Sequence, residues 1–181
     1  MLSCLFAYGI IPALTLFFVM GSGMTDLNFT VLGNALGRRE LFLIWGTVFA
    51  GFISLSLGGI IKYTIGTVFE KLTLISAVFL LISGIILPYF PEKWPNMAWL
   101  HTACCFMAAV MADLCVTHII IRLRKGNKAK YRRYFYWNWA NIALSAVFFT
   151  EIGMVTSLLE VFFSLSFTFM IQSLRQNIRK I

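Results

Sequence analysis

The chain has 181 residues, of which 60% are hydrophobic and only 12% charged, with a mean hydropathy of +0.84 and a net charge of +8. Soluble domains carry about 25% charged residues, so a water-soluble fold of this length is excluded: it has too little interior to hide so much apolar surface. The basic balance is no sign of nucleic acid either, because in a membrane chain Lys and Arg first report topology and aromatic residues mark the interfaces.

Taken in chain order, the hydrophobic windows predict six membrane spans, at residues 2–21, 41–64, 72–90, 98–121, 134–152 and 155–174. Each is near the ~20 residues that cross a bilayer as a helix. A helix is the form that satisfies every backbone group inside lipid. The first run lacks a basic leader and is longer than a signal-peptide core, so it reads as a retained helix. The segment 21–40, "GSGMTDLNFTVLGNALGRRE", is long and polar enough to fold over the bundle. It contains the sequon Asn28-Phe29-Thr30, a triplet common by chance. The stretch "LISGIILPYFPEKWPNMAWLHTACCFMAA" (81–109) forms a hinge. Pro88, Pro91 and Pro95 end the third span and are expected to forbid an early start to the fourth. Trp94 and Trp99 fit an aromatic belt. The last two spans are separated by "TEIGMVTSLLE", with the turn placed at Gly153.

The basic residues orient these spans. The loop 122–133, "RLRKGNKAKYRR", holds seven of the fifteen Lys and Arg, and the tail "RQNIRKI" holds three. Six spans put both segments on one side with Lys62 and Lys71, leaving Arg38, Arg39 and Lys93 on the other. The positive-inside rule then predicts an all-α, single-domain, six-helix membrane bundle over residues 1–181 with both termini cytoplasmic. The basic loop 122–133 either binds anionic headgroups or serves as a topology determinant alone. The tight last hairpin suits a monomer or a homo-oligomer.

Polar residues inside spans are costly and raise a functional question by default. Asp113 lies slightly to the cytoplasmic side of the midplane, level with Asn141, with Asn138 one turn further in. An Asp113–Asn141 hydrogen bond would tie the fourth and fifth spans; a proton relay or cation site is the alternative. His118 is near the cytoplasmic end, where it can snorkel. Arg38, Arg39, Glu40, His101, Glu151 and Glu160 come from four spans at comparable depth on the outer side. They read as one polar pocket under the first outer loop, with Arg38 or Arg39 as counter-ion to Glu160. That cluster is either a charge network locking the helices or a site for a headgroup or small ligand.

No hydrolase, phosphate-loop or paired-aspartate motif is present. His101 and His118 are ~25 Å apart along one helix, so they cannot share a metal, and no metal or cofactor is expected. Cys4, Cys104, Cys105 and Cys115 lie in apolar runs without a CxxC, as small buried residues do.

"TDLNFTVLGN" (25–34) followed by "ELFLIWG" (40–46), "SGIILPYFP" (83–91), "LH" (100–101) and "FFTEIGMVTSLLE" (148–160) resemble, in order and spacing, a six-helix membrane family called domain of unknown function 998. That family is similar to the FRAG/DRAM/Sfk superfamily. The resemblance implies an association with lipid remodelling or organisation, and by position it singles out Asn34, Glu40, His101 and Glu151. The expectation is a protein that binds membrane lipid, or a small amphipathic ligand, through an outer polar pocket. Two rivals are a proton- or ion-coupled transporter using Asp113 and Glu160, and a lipid-modifying enzyme with His101 and Glu160 as acid and base.

Overall fold

A computed structural model describes every residue except 1, 24, 153, 154, 180 and 181. The turn expected at Gly153 therefore lies outside the described residues. Among the described residues all regular structure is helical. The helices, in chain order, are α1 (Leu2–Val19), α2 (Phe29–Asn34), α3 (Arg39–Tyr63), α4 (Val68–Ile86), α5 (Pro95–Gly126), α6 (Lys128–Ile152) and α7 (Ser157–Arg179). Five of them, α1, α3, α4, α5 and α7, are long and apolar enough to cross a membrane. Helix α6 has the length, at 25 residues, but its first half, "KAKYRRYFYWNWAN", is too polar to join them.

Local chemistry explains where the helix ends depart from expectation. Helix α1 carries a π turn over Phe6–Ile10, in which the Ile11 N–H bonds to Phe6 five residues back. Pro12 follows, with no N–H to give and a ring that crowds the preceding turn, and a widened turn accommodates both. Helix α4 starts four residues before the predicted span. Thr67 accepts from the Glu70 N–H and Glu70 reaches back to the Thr67 N–H, a reciprocal cap. It stops at Ile86 because Leu87 precedes a proline and takes extended geometry. Pro95 does not delay α5 as expected: it is the first residue of that helix, where a missing N–H costs nothing. The basic segment 122–133 is no loop. Helix α5 runs to Gly126, α6 begins at Lys128, and Asn127 between them caps α6 by accepting from the Lys130 N–H at 3.0 Å.

Helix α4 packs most extensively on α5. Gly84 makes that approach close: a Cβ there would lie 2.5 Å from the Cys105 sulfur. Helix α7 packs against α6, α3 and α1, closing the bundle. The main core joins Leu57, Ile60, Val116, Ile119, Phe167 and Met170 across α3, α5 and α7. A second core lies beneath the outer loop, where Phe29 and Leu32 of α2 bury against Phe18, Phe42, Ile85 and Val161.

Candidate functional site

The outer loop folds into a lid, and its hinge chemistry is written in the chain. Asn28 caps α2 by accepting from the Val31 N–H at 2.8 Å. Phe29 and Leu32 on that helix are buried, so the lid is seated by apolar packing. Six hydrogen bonds then fix it. The Leu27 carbonyl accepts from the Ser157 N–H at 2.6 Å and from its hydroxyl at 2.8 Å. The Phe29 N–H donates to Glu160 Oε2 at 2.5 Å. Thr30 Oγ1 lies 2.9 Å from His101 Nε2. Asn34 accepts from Arg39 at 3.1 Å and from the Tyr89 N–H at 3.3 Å.

His101 is fully buried. Its Nδ1 lies 3.0 Å from the Leu87 carbonyl, which only accepts, so Nδ1 carries a proton. The reason sits in the sequence. Leu87 turns to extended geometry ahead of Pro88, so its carbonyl lies outside the helical ladder of α4 and has no helical donor. The imidazole supplies the missing donor, and in the neutral ring Nε2 accepts the Thr30 hydroxyl. One ring thus joins the broken end of α4 to the lid.

The arginines do a related job. Arg38 donates to the Phe18 carbonyl at 2.5 Å and the Met20 carbonyl at 3.0 Å, at the end of α1. Arg39 donates to the Ile86 carbonyl at 2.7 Å, at the end of α4, and stands over the Phe42 ring. Cations suit these positions because helix C-termini carry unpaired carbonyls and partial negative charge. Neither guanidinium pairs with Glu160, which corrects the expected counter-ion. Glu40 and Glu151 are exposed, with no side-chain partner among the described residues, and stand outside the cluster.

Under the lid lies a cavity of about 140 Å³. Its walls are apolar: Phe42, Trp45 and Phe49 from α3, Leu81 and Ile85 from α4, Ala108 and Ala112 from α5, Phe163 and Phe167 from α7. Thr30, Cys105, Glu160 and Ser164 supply its polar atoms. Among the described residues the Glu160 carboxylate has one partner, the Phe29 N–H. A lateral groove of about 360 Å³ between α3 and α4, bounded by Thr47, Gly51, Ser54 and Ile82, shares Val78 and Ile85 with the cavity wall.

The deeper residues separate into two further groups. The expected Asp113–Asn141 bond is absent; Asn138 instead donates to Thr117 Oγ1 at 2.8 Å. Asp113 does not line the cavity, so it and Glu160 share no site. At the end of the bundle away from the lid, Glu70 is fully buried and accepts from Arg122 Nε at 2.8 Å, Arg122 Nη2 at 2.9 Å and His118 Nδ1 at 2.9 Å. Sequence reasoning passed over Glu70, placing it in a loop. The Thr-x-x-Glu pattern at 67–70, a capping box before an apolar run, was the available signal. Thr30 also went unremarked outside the sequon, and nothing local distinguishes it. Among the described residues no three of His, Cys, Asp and Glu are grouped to hold a metal ion.

Compared with protein-family models, with curated proteins and with solved structures, the chain matches none.

Proposed function

We propose that this is a six-span membrane protein with both termini in the cytoplasm that binds a membrane lipid, or a small amphipathic ligand, in the cavity beneath the α2 lid. The observation that carries the reading is one carboxylate bordering an otherwise apolar cavity with a single backbone N–H as partner. An unpaired charge in apolar surroundings is costly, and a ligand with an amine or hydroxyl head offsets that cost while its apolar part meets Phe42, Trp45 and Phe163. A cavity of this size class admits a ring or a short alkyl group, so a two-chain lipid fits by its head or one chain end. The α3–α4 groove, which shares Val78 and Ile85 with the cavity, is the natural bed for the rest of a chain.

Helix α6 is the sixth span in this reading. Its buried Asn138 and Asn141 face protein rather than lipid, which lowers the cost of an otherwise polar helix. The basic residues at the α5–α6 joint are the inner topology signal and a seat for anionic headgroups, with Arg122 withdrawn from that role by Glu70. The resemblance to the domain of unknown function 998 family points the same way. An acid–base role for His101 fits less well, since both ring nitrogens are engaged, one with the lid and one with the end of α4.

Native mass spectrometry with lipidomics on gently purified protein tests the proposal. One lipid class enriched over bulk membrane in the wild type and lost in Glu160→Gln is the expected result. The glutamine keeps an oxygen for the Phe29 N–H, so the lid stays seated while the charge goes. Bulk lipid alone in both samples would remove the reading.

A further inference from the structure

The seam between α5 and α6 holds a second polar group that the lid site does not use. Asn138, Asn141 and Ser145 recur at i, i+3 and i+7 on α6, which places them on one face. That face turns toward α5, because Asn138 donates to Thr117 Oγ1 at 2.8 Å and both asparagines are 1% exposed. The bond also fixes the register of the two helices. Asp113 is one turn outward of Thr117 on α5, about 6 Å along the axis. Asn141 is nearly one turn outward of Asn138 on α6, about 4.5 Å. The carboxylate and the second amide therefore stand at one level.

Along this face, over about 10 Å of the axis, five buried atoms have no hydrogen-bond partner among the described residues: Asp113 Oδ1, Asn138 Oδ1, Asn141 Oδ1 and Nδ2, and Ser145 Oγ. Four of the five are oxygens able to accept. When ionised, Asp113 gives the seam one negative charge, and no Lys, Arg or His pairs with it among the described residues. Buried polar atoms are nearly always partnered, and exceptions call for an explanation, an ordered water or a bound ion among them. Water would satisfy two acceptors without neutralising the carboxylate. A small hard cation does both, since such ions take oxygen ligands and carry the opposite charge. One carboxylate among neutral oxygens matches a single positive charge.

We propose that the α5–α6 seam binds a small alkali cation, sodium rather than a divalent ion, through Asp113, Asn138 and Asn141, with Ser145 at its outer edge. The site is separate from the cavity under the lid. It gives the bundle a cation-dependent tie between α5 and α6 near mid-membrane.

The test is thermal unfolding of the purified full chain in sodium, potassium or choline chloride at constant pH and ionic strength. A ligand that binds only the folded state raises the melting temperature by mass action. The expected result is a saturable, sodium-dependent rise in Tm that choline does not reproduce. Asp113→Asn and Asn141→Leu should each abolish the sodium increment, and Glu160→Gln should retain it. Direct binding of radiolabelled sodium to the wild type, displaced by unlabelled sodium but not by choline, provides a readout that needs no variant to fold. No sodium-specific increment and no displaceable binding would overturn the proposal. So would an increment that survives in Asp113→Asn, or a Tm that follows pH through Asp113 without responding to sodium, which would make the occupant a proton.

Discussion

At the scale of single residues, the lid end of this bundle is organised by repair of broken backbone. Leu87 turns out of α4 ahead of Pro88, which leaves its carbonyl outside the helical ladder, and His101 supplies a donor from the next helix. The same ring receives the Thr30 hydroxyl, so a side chain that mends α4 also fastens the lid. His101→Ala would strand both groups in a buried place and open a void beside Phe42 and Tyr89. Leaving a buried polar group unpaired costs about 1–3 kcal/mol, and the void adds to it. The expected outcome is a loss of about 2–4 kcal/mol in reversible unfolding in mild detergent. Faster hydrogen exchange over residues 29–34 should accompany it. An unchanged exchange rate there would show that His101 does not hold the lid.

Between elements, close approach depends on where glycine faces a neighbour. Gly46 on α3 points at α4, and a Cβ there would lie 2.5 Å from Ile85 Cδ1. Gly51, five residues on, has nothing within 4 Å of the added atom. Gly46→Ala should therefore push Ile85 aside and destabilise by about 1–3 kcal/mol, as overpacking does. Gly51→Ala should be neutral or stabilise by up to about 1 kcal/mol through helix propensity. Paired melting curves separate the two, and equal effects would mean that α3 and α4 do not meet as described. Because Ile85 lies in both the cavity wall and the α3–α4 groove, Gly46→Ala should also reduce ligand retention.

Over the whole molecule, the two ends are fastened by different chemistry. The lid end uses backbone carbonyls bound by Arg38, Arg39 and His101. The opposite end uses the buried Glu70, paired with Arg122, which also donates to the Thr64 carbonyl at 2.9 Å and so ties α5 to the α3–α4 turn. Removing one partner of a buried pair costs about 3–5 kcal/mol, whereas replacing both with apolar residues is often tolerated. Arg122→Met should fall in that range, and Glu70→Leu combined with Arg122→Met should recover most of the loss. A double variant as unstable as the sum of the two single changes would show that the pair acts independently of one another.

The sequence by itself determined the solvent. Composition and run length report how much apolar surface must leave water, and that sum needs no geometry. The extent of α3 was legible to within two residues at each end, whereas α7 starts two residues after and runs five residues past the predicted 155–174. The α6 boundary was less legible, because "RLRKGNKAKYRR" reads as a solvated loop until Asn127 is seen to cap a helix within it. Tertiary structure decided the pairings. Arg38, Arg39 and Glu160 share an outer level in the sequence, and charge alone matched them. In space the guanidiniums reach the open ends of α1 and α4, and Glu160 meets a backbone N–H in the lid. Glu40 sits beside Arg39 in the chain, yet it faces outward. Spacing along a helix fixes the face a residue occupies. Which carbonyl, amide or cavity stands opposite that face depends on helix rotation and register, and those are set by packing between segments far apart in the chain.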